Sequence, residues 1–489
     1  MKNKLKRILC LILVAALMSS SSGVCTLANS IEKKRANGRM KKTGSIGAEI
    51  EPVYDQDANK FIYTIPAGGA VYIENISEKE TTTVRSVDTD EASEDSELFY
   101  AVEYSSEGTV DSYDRGGVWW LNEEAALYVT YNDKNAHKIS MSEEDVNHTK
   151  VYQYDGSLLN FKEIQEGKNY FIKNDSQKEV SAKFSFDYYD TDENGNRNNI
   201  INIVKYAGDT KCSDMAFYAD WVSLDKKEEA VISVKKSENK EAYLYYPVDY
   251  QNMGLTVEET KEQAFASVKF ESAKTYRVSN PKLCDLIFCQ QESYYDEAPL
   301  SMNALGYDTQ GRGDYVREDF DYDGGTWRPG TLEELDLDIK QAKEGNILYY
   351  PSRYTDLSLK IEETKDPLWY EKEITDKTML KLTNVSSQYR NNIKIDGSEE
   401  TKVQMLDIWG GNGDSSIEEK SGNTNYFLGK DRITYIRCAT TGSAVTVKIP
   451  NKYIADKGVI VTEKEGDFTS LQTYDLQYDF KFTHYYPVY

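Results

Sequence analysis

Histidine is nearly absent from this chain: three in 489 residues, His137, His148 and His484, in unlike contexts. That removes the usual base of Ser-His and Cys-His pairs, and the sequence also holds no H-E-x-x-H, no nucleophile elbow and no phosphate-cradling glycine loop. Cysteine is scarce too, six in all, and Cys10 and Cys25 fall within the first 28 residues. The remaining Cys212, Cys284, Cys289 and Cys438 are too few to staple so long a chain, and their pairing is left open. Basic charge is outweighed, 58 Lys and Arg against 82 Asp and Glu, for a net charge of −24. Such a surface repels phosphate backbones and anionic lipid, which sets nucleic acid aside as a partner and disfavours electrostatic docking on membranes.

Long apolar runs are missing as well. The one candidate, Ile8 to Met18, is too short to span a bilayer and follows Lys2, Lys4, Lys6 and Arg7. It reads as a secretory signal peptide over residues 1–28, cleaved after Thr26-Leu27-Ala28. A rival reading acylates Cys25, but Val24 stands where lipoprotein processing wants a small residue. No transmembrane segment is expected in the mature chain. The closing KFTHYYPVY carries neither a hydrophobic tail nor an LPxTG signal, so the expectation is a secreted protein with no recognisable covalent anchor.

What the sequence has in quantity is tyrosine, 38 residues against six tryptophans. Strand propensity in an all-β protein is the plainer explanation. The sharper one is that Tyr supplies large amphipathic contact area at binding surfaces.

Self-similarity organises the rest. GGAVYIENISEKETTT (68–83) is answered by GKNYFIKNDSQKEVSA (167–182), and KTYRVSN and KTMLKLTN end in Asn280 and Asn384, so Asn75, Asn174, Asn280 and Asn384 recur about 100 residues apart. LYYP at 244–247 and 348–351 and the pair VEETK and IEETK keep the same spacing. Four units follow: 45–149, 150–254, 255–357 and 358–458, after a basic linker at 29–44. Residues 459–489 open like GLTVEETKEQAFASVKF and are either a partial fifth repeat or strands that complete the fourth. Runs such as FIYTI, AVYIEN, LFYAVEY and ALYVTY are strand-like, and the helical look of TLEELDLDIKQA is overruled by its aligned partners EEAALYVTY and EEAVISVKK. The fold class expected is all-β: four tandem β-sandwich repeats, immunoglobulin-like or jelly-roll, of about 100 residues each. This arrangement resembles the tandem immunoglobulin-like repeat proteins that Gram-positive bacteria secrete, a likeness of architecture that implies an extracellular binding role.

Candidate sites can be weighed by whether they recur. TQGRGDYVRED contains Arg312-Gly313-Asp314, the tripeptide with which many extracellular proteins engage integrins, but SSEGTV, YAGDTK and GNGDSS stand at comparable places. Gly313-Asp314 therefore reads as shared turn chemistry at an exposed turn, with Arg312 alone special to the third unit. Trp119, Trp120, Trp221, Trp327 and the pair Tyr426-Phe427 sit at similar distances from their asparagines and read as core residues, except that strand alternation must turn one of Trp119 and Trp120 outward as a ligand contact. Two acidic loops have Ca²⁺-ligand spacing, Asp190-x-Asp192-x-Asn194-Gly195 and Asp319-x-Asp321-x-Asp323-Gly324, without the position-12 Glu of an EF-hand. No cofactor is required by anything in the sequence, and Ca²⁺ is the one the spacing allows. The expected function is a non-enzymatic, adhesin-like array that binds a host extracellular protein such as a matrix protein, an integrin or an immunoglobulin. A glycan-binding array is the alternative. Glycoside hydrolysis comes third, since the separation of two carboxylates is a tertiary fact.

Overall fold

A computed structural model describes residues 44–87, 99–131, 135–185, 189–191, 197–199, 201–208, 211–216, 221–235, 242–290, 300–322, 325–342, 347–409 and 414–465. The signal peptide and nearly all of the basic linker lie outside them. Among the described residues no helix is long and apolar enough to cross a membrane.

The protein is all-β, and its strand pairing chooses between the two sandwich types. In the fourth repeat the first strand, Trp369–Thr375, pairs with the eighth, Ala444–Pro450, and the second, Thr378–Asn384, with the seventh, Ile433–Cys438. The third, Arg390–Asp396, pairs with the sixth, Thr424–Leu428, and the fourth, Lys402–Trp409, with the fifth, Asp414–Ser421. The result is a long hairpin rolled up into two sheets, ordered 1-8-3-6 and 5-4-7-2. That is a jelly roll; in an immunoglobulin fold the first strand would lie beside the second. A ninth strand, Val459–Glu465, pairs along Thr378–Asn384 and completes the fourth repeat's second sheet. The third repeat has the same two orders and the first repeat has them with one extra strand on each sheet, Val53–Asp55 and Ser45–Glu49. TLEELDLDIKQA supplies the seventh strand of the third repeat, Glu334–Gln341.

Ninth strands also close the earlier repeats. Thr149–Asp155 pairs with Ala70–Asn75, Leu255–Thr260 with Asn169–Asn174, and Lys360–Thr364 with Lys274–Ser279. The hydrogen bonds thus hand over from one repeat to the next after these strands, several residues later than the sequence similarity alone placed the boundaries.

By compactness the chain falls into two units, one of Met1–Asp190, Tyr218–Ala230 and Val234–Thr260, the other of Thr191–Phe217, Val231–Ser233 and Lys261–Tyr489. The first contains the whole first repeat and the 1-8-3-6 sheet of the second, Leu159–Ile164, Ala242–Pro247, Val180–Phe184 and Trp221–Leu224. The second contains the pair Ile201–Tyr206 and Cys212–Ala216 and the third and fourth repeats complete.

Why the asparagines recur is now evident. Each sits buried at the end of a second strand, where its amide ties loops together. The Asn384 amide nitrogen donates to the carbonyls of Gln388 (2.8 Å), Gly429 (2.9 Å) and Leu428 (3.4 Å), while its oxygen accepts from Ser386 N–H at 3.1 Å. Asn75 reaches Glu80, Asn122 and Leu121, and Asn174 reaches Lys178, Asp225 and Leu224, each accepting from the serine two residues on. Asn280 makes the corresponding bonds to Cys284 and Leu332. Backbone groups buried at a strand end must find partners, and one carboxamide supplies both a donor pair and an acceptor.

Many of the tyrosines are explained by the second sheet of the first repeat, two of whose strands are buried on both faces. All six residues of Ala70–Asn75 and of Ala126–Tyr131 are buried. Val71, Ile73, Leu127 and Val129 face the sandwich interior, whereas Tyr72, Tyr104, Tyr128 and Tyr154 on the outer face form a cluster with Leu158, Leu159 and Tyr245 of the second repeat. Tyr therefore fills joints between repeats, which need large, adaptable, half-polar side chains.

Candidate binding surface

The third and sixth strands frame the surface in question. Counting back from the buried leucine that ends each sixth strand, Leu121, Leu224 or Leu428, the residue two earlier points inward: Trp119, Val222 and Tyr426. Trp119 packs against the core and meets Phe99 edge-on at 6.0 Å. Residues one and three earlier point outward, and there the structure places Trp120, Trp221 and Phe427, at 65, 51 and 55 % exposure. The alternation expected at Trp119 and Trp120 is what is seen. Trp221 and Phe427 are corrections: both were expected in the core, but Trp221 lies one residue out of step with Trp119 and Phe427 one residue past the buried Tyr426, and a one-residue slip sends a strand side chain to the opposite face. Trp327 is buried, its Nε1 donating to the Tyr315 hydroxyl at 2.8 Å. Three of the four repeats thus carry a large exposed aromatic on the outer face of a sheet-edge strand. Phe427 has Tyr389 at 6.0 Å beside it. No sequence signal distinguished these aromatics from the core ones except register against the terminal leucine.

Arg312-Gly313-Asp314 does not sit as expected. The turns that join fourth and fifth strands span Ser105–Thr109, Ala207–Lys211 and Asp308–Arg312, each closed by a bond from the first N–H to the last carbonyl. The glycine of the third turn is Gly311, with φ +68°, and Gly313 is the first residue of the following strand and is buried. Its N–H donates to the Tyr453 hydroxyl at 2.6 Å and its carbonyl accepts from Asn392. A Cβ on Gly313 would stand 2.8 Å from the Tyr453 oxygen, so glycine is required there by packing and not by a turn. The Arg312 guanidinium is held by Asp308 at 2.6 Å. Burial would raise the Asp308 carboxyl, but the Arg312 and Gln310 N–H groups and the guanidinium hold it below its usual value. Asp314 alone of the three is exposed. We expect Arg312→Ala to leave both attachment to integrin-bearing cells and the melting temperature unchanged, since a solvent-screened ion pair contributes little to stability. Loss of adhesion with an unchanged melt would instead assign the tripeptide.

Of the Ca²⁺-spaced residues, Asp192, Asn194 and Asp323 lie outside the described residues, and Asp190 is in the backbone of the short strand Tyr189–Thr191. Asp319 and Asp321 were expected in a loop; they belong to the strand Gly313–Tyr322. The Asp319 N–H donates to Asn303 at 2.8 Å and its carboxylate pairs with Lys340. Among the described residues no group of three or more His, Cys, Asp or Glu could hold a metal ion. Cys212, Cys284, Cys289 and Cys438 are buried free thiols, and burial pushes the Cys212 thiol up to about 12.

No family model matches this sequence, and no curated protein does. Among solved structures, a chain described under "The Triple Jelly Roll Fold and Turret Assembly in an Archaeal Virus" aligns with 64 % of this chain and 84 % of its own at 11 % identity, with a TM-score of 0.13.

Proposed function

We propose that this chain is a secreted, non-enzymatic array of jelly-roll modules that binds an extracellular host protein through the outward aromatics of its sixth strands. The observation that carries the reading is the placement of Trp120, Trp221 and Phe427, because an edge strand with no binding role is normally kept polar or charged. Weak sites repeated along one chain gain avidity without new contacts, which suits tandem modules. Secretion rests on the basic and apolar opening of the sequence, and a Ca²⁺ ion at Asp190, Asp192 and Asn194 belongs to the same reading. The test is a screen of the mature protein against matrix and serum proteins and a glycan array, repeated with Trp120→Ala, Trp221→Ala and Phe427→Ala. Each single change is expected to weaken binding about 30-fold, roughly the 2 kcal/mol of an aromatic hot spot, and the triple change to abolish it. All three residues are exposed, so the melting temperature should hold. Binding confined to the glycan array would favour sugar stacking, and undiminished binding by the triple variant would remove the aromatics from the account. A rise in melting temperature at millimolar Ca²⁺ is expected if the metal binds the folded state.

A further inference from the structure

We infer that copies of this chain associate head to tail, the third strand of the first repeat in one copy seating on the fifth strand of the fourth repeat in the next. The inference continues a contact the chain already makes within itself. In the second repeat the outward residues Ser181 and Lys183 of the third strand reach the fifth strand of the first: the Ser181 and Tyr113 hydroxyls are 2.9 Å apart, and Lys183 Nζ is 3.3 Å from Asp114 and 5.2 Å from the Tyr113 ring. In the fourth repeat Lys394 of the third strand pairs with Glu318 on the fifth strand of the third, while Arg390 donates to Gly311 O at 2.8 Å.

Lys183 and Lys394 are equivalent residues. They lie opposite Trp221 and Asn425, each three before the terminal leucine of its sixth strand. The first repeat has Arg85 there, opposite Val118; Arg85 is exposed, with Thr83 in the place of Ser181. At the other end, the fifth strand of the fourth repeat carries Ile417 opposite Leu406, as Tyr113 lies opposite Val102. Tyr113 is buried, whereas Ile417 is 54 % exposed, and the exposed Glu418 and Glu419 follow it. Glu418 holds the place of Asp114 and has Lys420 of its own strand at 3.1 Å. A cation on one end and an apolar residue with two carboxylates on the other match the two halves of the contact between the first and second repeats; between the third and fourth, Lys394 meets Glu318, two residues after Val316, the place that Glu419 holds relative to Ile417. Because the two faces differ, the contact is head to tail, and a copy that pairs through one face keeps the other for a further copy.

The sixth-strand aromatics stay outside this contact. Trp221 and Phe427 remain exposed in repeats whose third strands are already engaged, so Trp120 should remain available too. The external contact lacks one part. Repeats two to four follow the eighth strand with a helix whose tyrosine, Tyr250, Tyr354 or Tyr453, packs on the preceding repeat; in the first repeat that place holds Asp145, which closes a capping box with Ser142 and accepts the Thr83 N–H. Association is accordingly expected to be weak, with Kd in the micromolar range or above.

Sedimentation equilibrium of the mature chain over roughly 1 to 300 µM, in about 0.15 M salt to screen the net charge of −24, should show a mass that rises with concentration and no plateau at the dimer. Arg85→Glu and Ile417→Asp should each remain monomeric alone, with unchanged melting temperatures. Mixed together they should form a one-to-one dimer and nothing larger, because each variant keeps the end that the other has lost. A wild-type chain that stays monomeric to the highest concentration overturns the inference, as does association that survives both substitutions or a mixture that remains monomeric.

Discussion

Asn384→Ala is expected to destabilise the fourth repeat by about 2–4 kcal/mol, visible as a lowered unfolding midpoint in urea with little change in slope. The amide serves three carbonyls, of Gln388, Gly429 and Leu428, and one N–H, of Ser386. Truncation leaves these groups facing a small void at the meeting of two loops. A hydrogen bond is worth only about 1 kcal/mol net, but a buried group stripped of its partner loses more than that. Water entering through the loops would satisfy some carbonyls, which is why the figure stays below the sum of the separate penalties. Asn425, exposed on the sixth strand, is the control: its replacement by alanine should change stability by less than about 0.5 kcal/mol. Comparable losses for both variants would remove the buried amide from its role as a tie.

The asparagines were legible in the sequence because their role cannot be transferred. A carboxamide that must donate in two directions and accept in a third tolerates no other side chain, so Asn75, Asn174, Asn280 and Asn384 survived while the residues around them diverged. Strand content was legible for a similar reason, and the repeat correctly overruled the helical look of TLEELDLDIKQA. The choice between immunoglobulin and jelly-roll topology was not, since it depends on the first strand meeting the eighth, and nothing local in either strand records its partner. The repeat boundaries shifted because similarity marks where a copy begins in sequence, whereas the ninth strand bonds back to the copy before it.

The candidate site shows the same division. Alternation alone required one of Trp119 and Trp120 to face outward without saying which, and it could not place Trp221, whose register is set by Leu224 and differs by one from that of Trp119. Gly313-Asp314 misled more deeply. Three copies of Gly-Asp suggested one shared turn, yet the turn glycine of the third repeat is Gly311, and Gly313 lacks a side chain to make room for a hydroxyl from the fourth repeat.

That hydroxyl gives the second large expected effect. Tyr453→Ala should cost about 3–5 kcal/mol, the range for emptying a buried aromatic site. The ring is fully buried beside Tyr307 at 6.1 Å and under the Arg390 guanidinium at 4.7 Å. Burial pushes the phenol up to about 12, so it stays a neutral donor and acceptor through the physiological range. It accepts from Gly313 N–H at 2.6 Å and donates to Asn391 O at 3.0 Å. Tyr354 repeats the pattern between Cys212 N–H and Asp285 O, at 3.2 and 2.7 Å, so the bond pair is a device of the array and not an accident of one joint. Tyr453→Phe keeps the ring and should cost only about 1–3 kcal/mol, the price of one buried N–H and one carbonyl left without the hydroxyl. A double-mutant cycle separates this joint from an adhesive role for the tripeptide. Gly313→Ala pushes a methyl toward the hydroxyl and should destabilise the wild-type background strongly. In the Tyr453→Phe background the obstructing oxygen is gone, and the same substitution should cost less by at least about 1 kcal/mol, as coupling between touching residues requires. Additive effects would mean that Gly313 is glycine for a reason other than Tyr453.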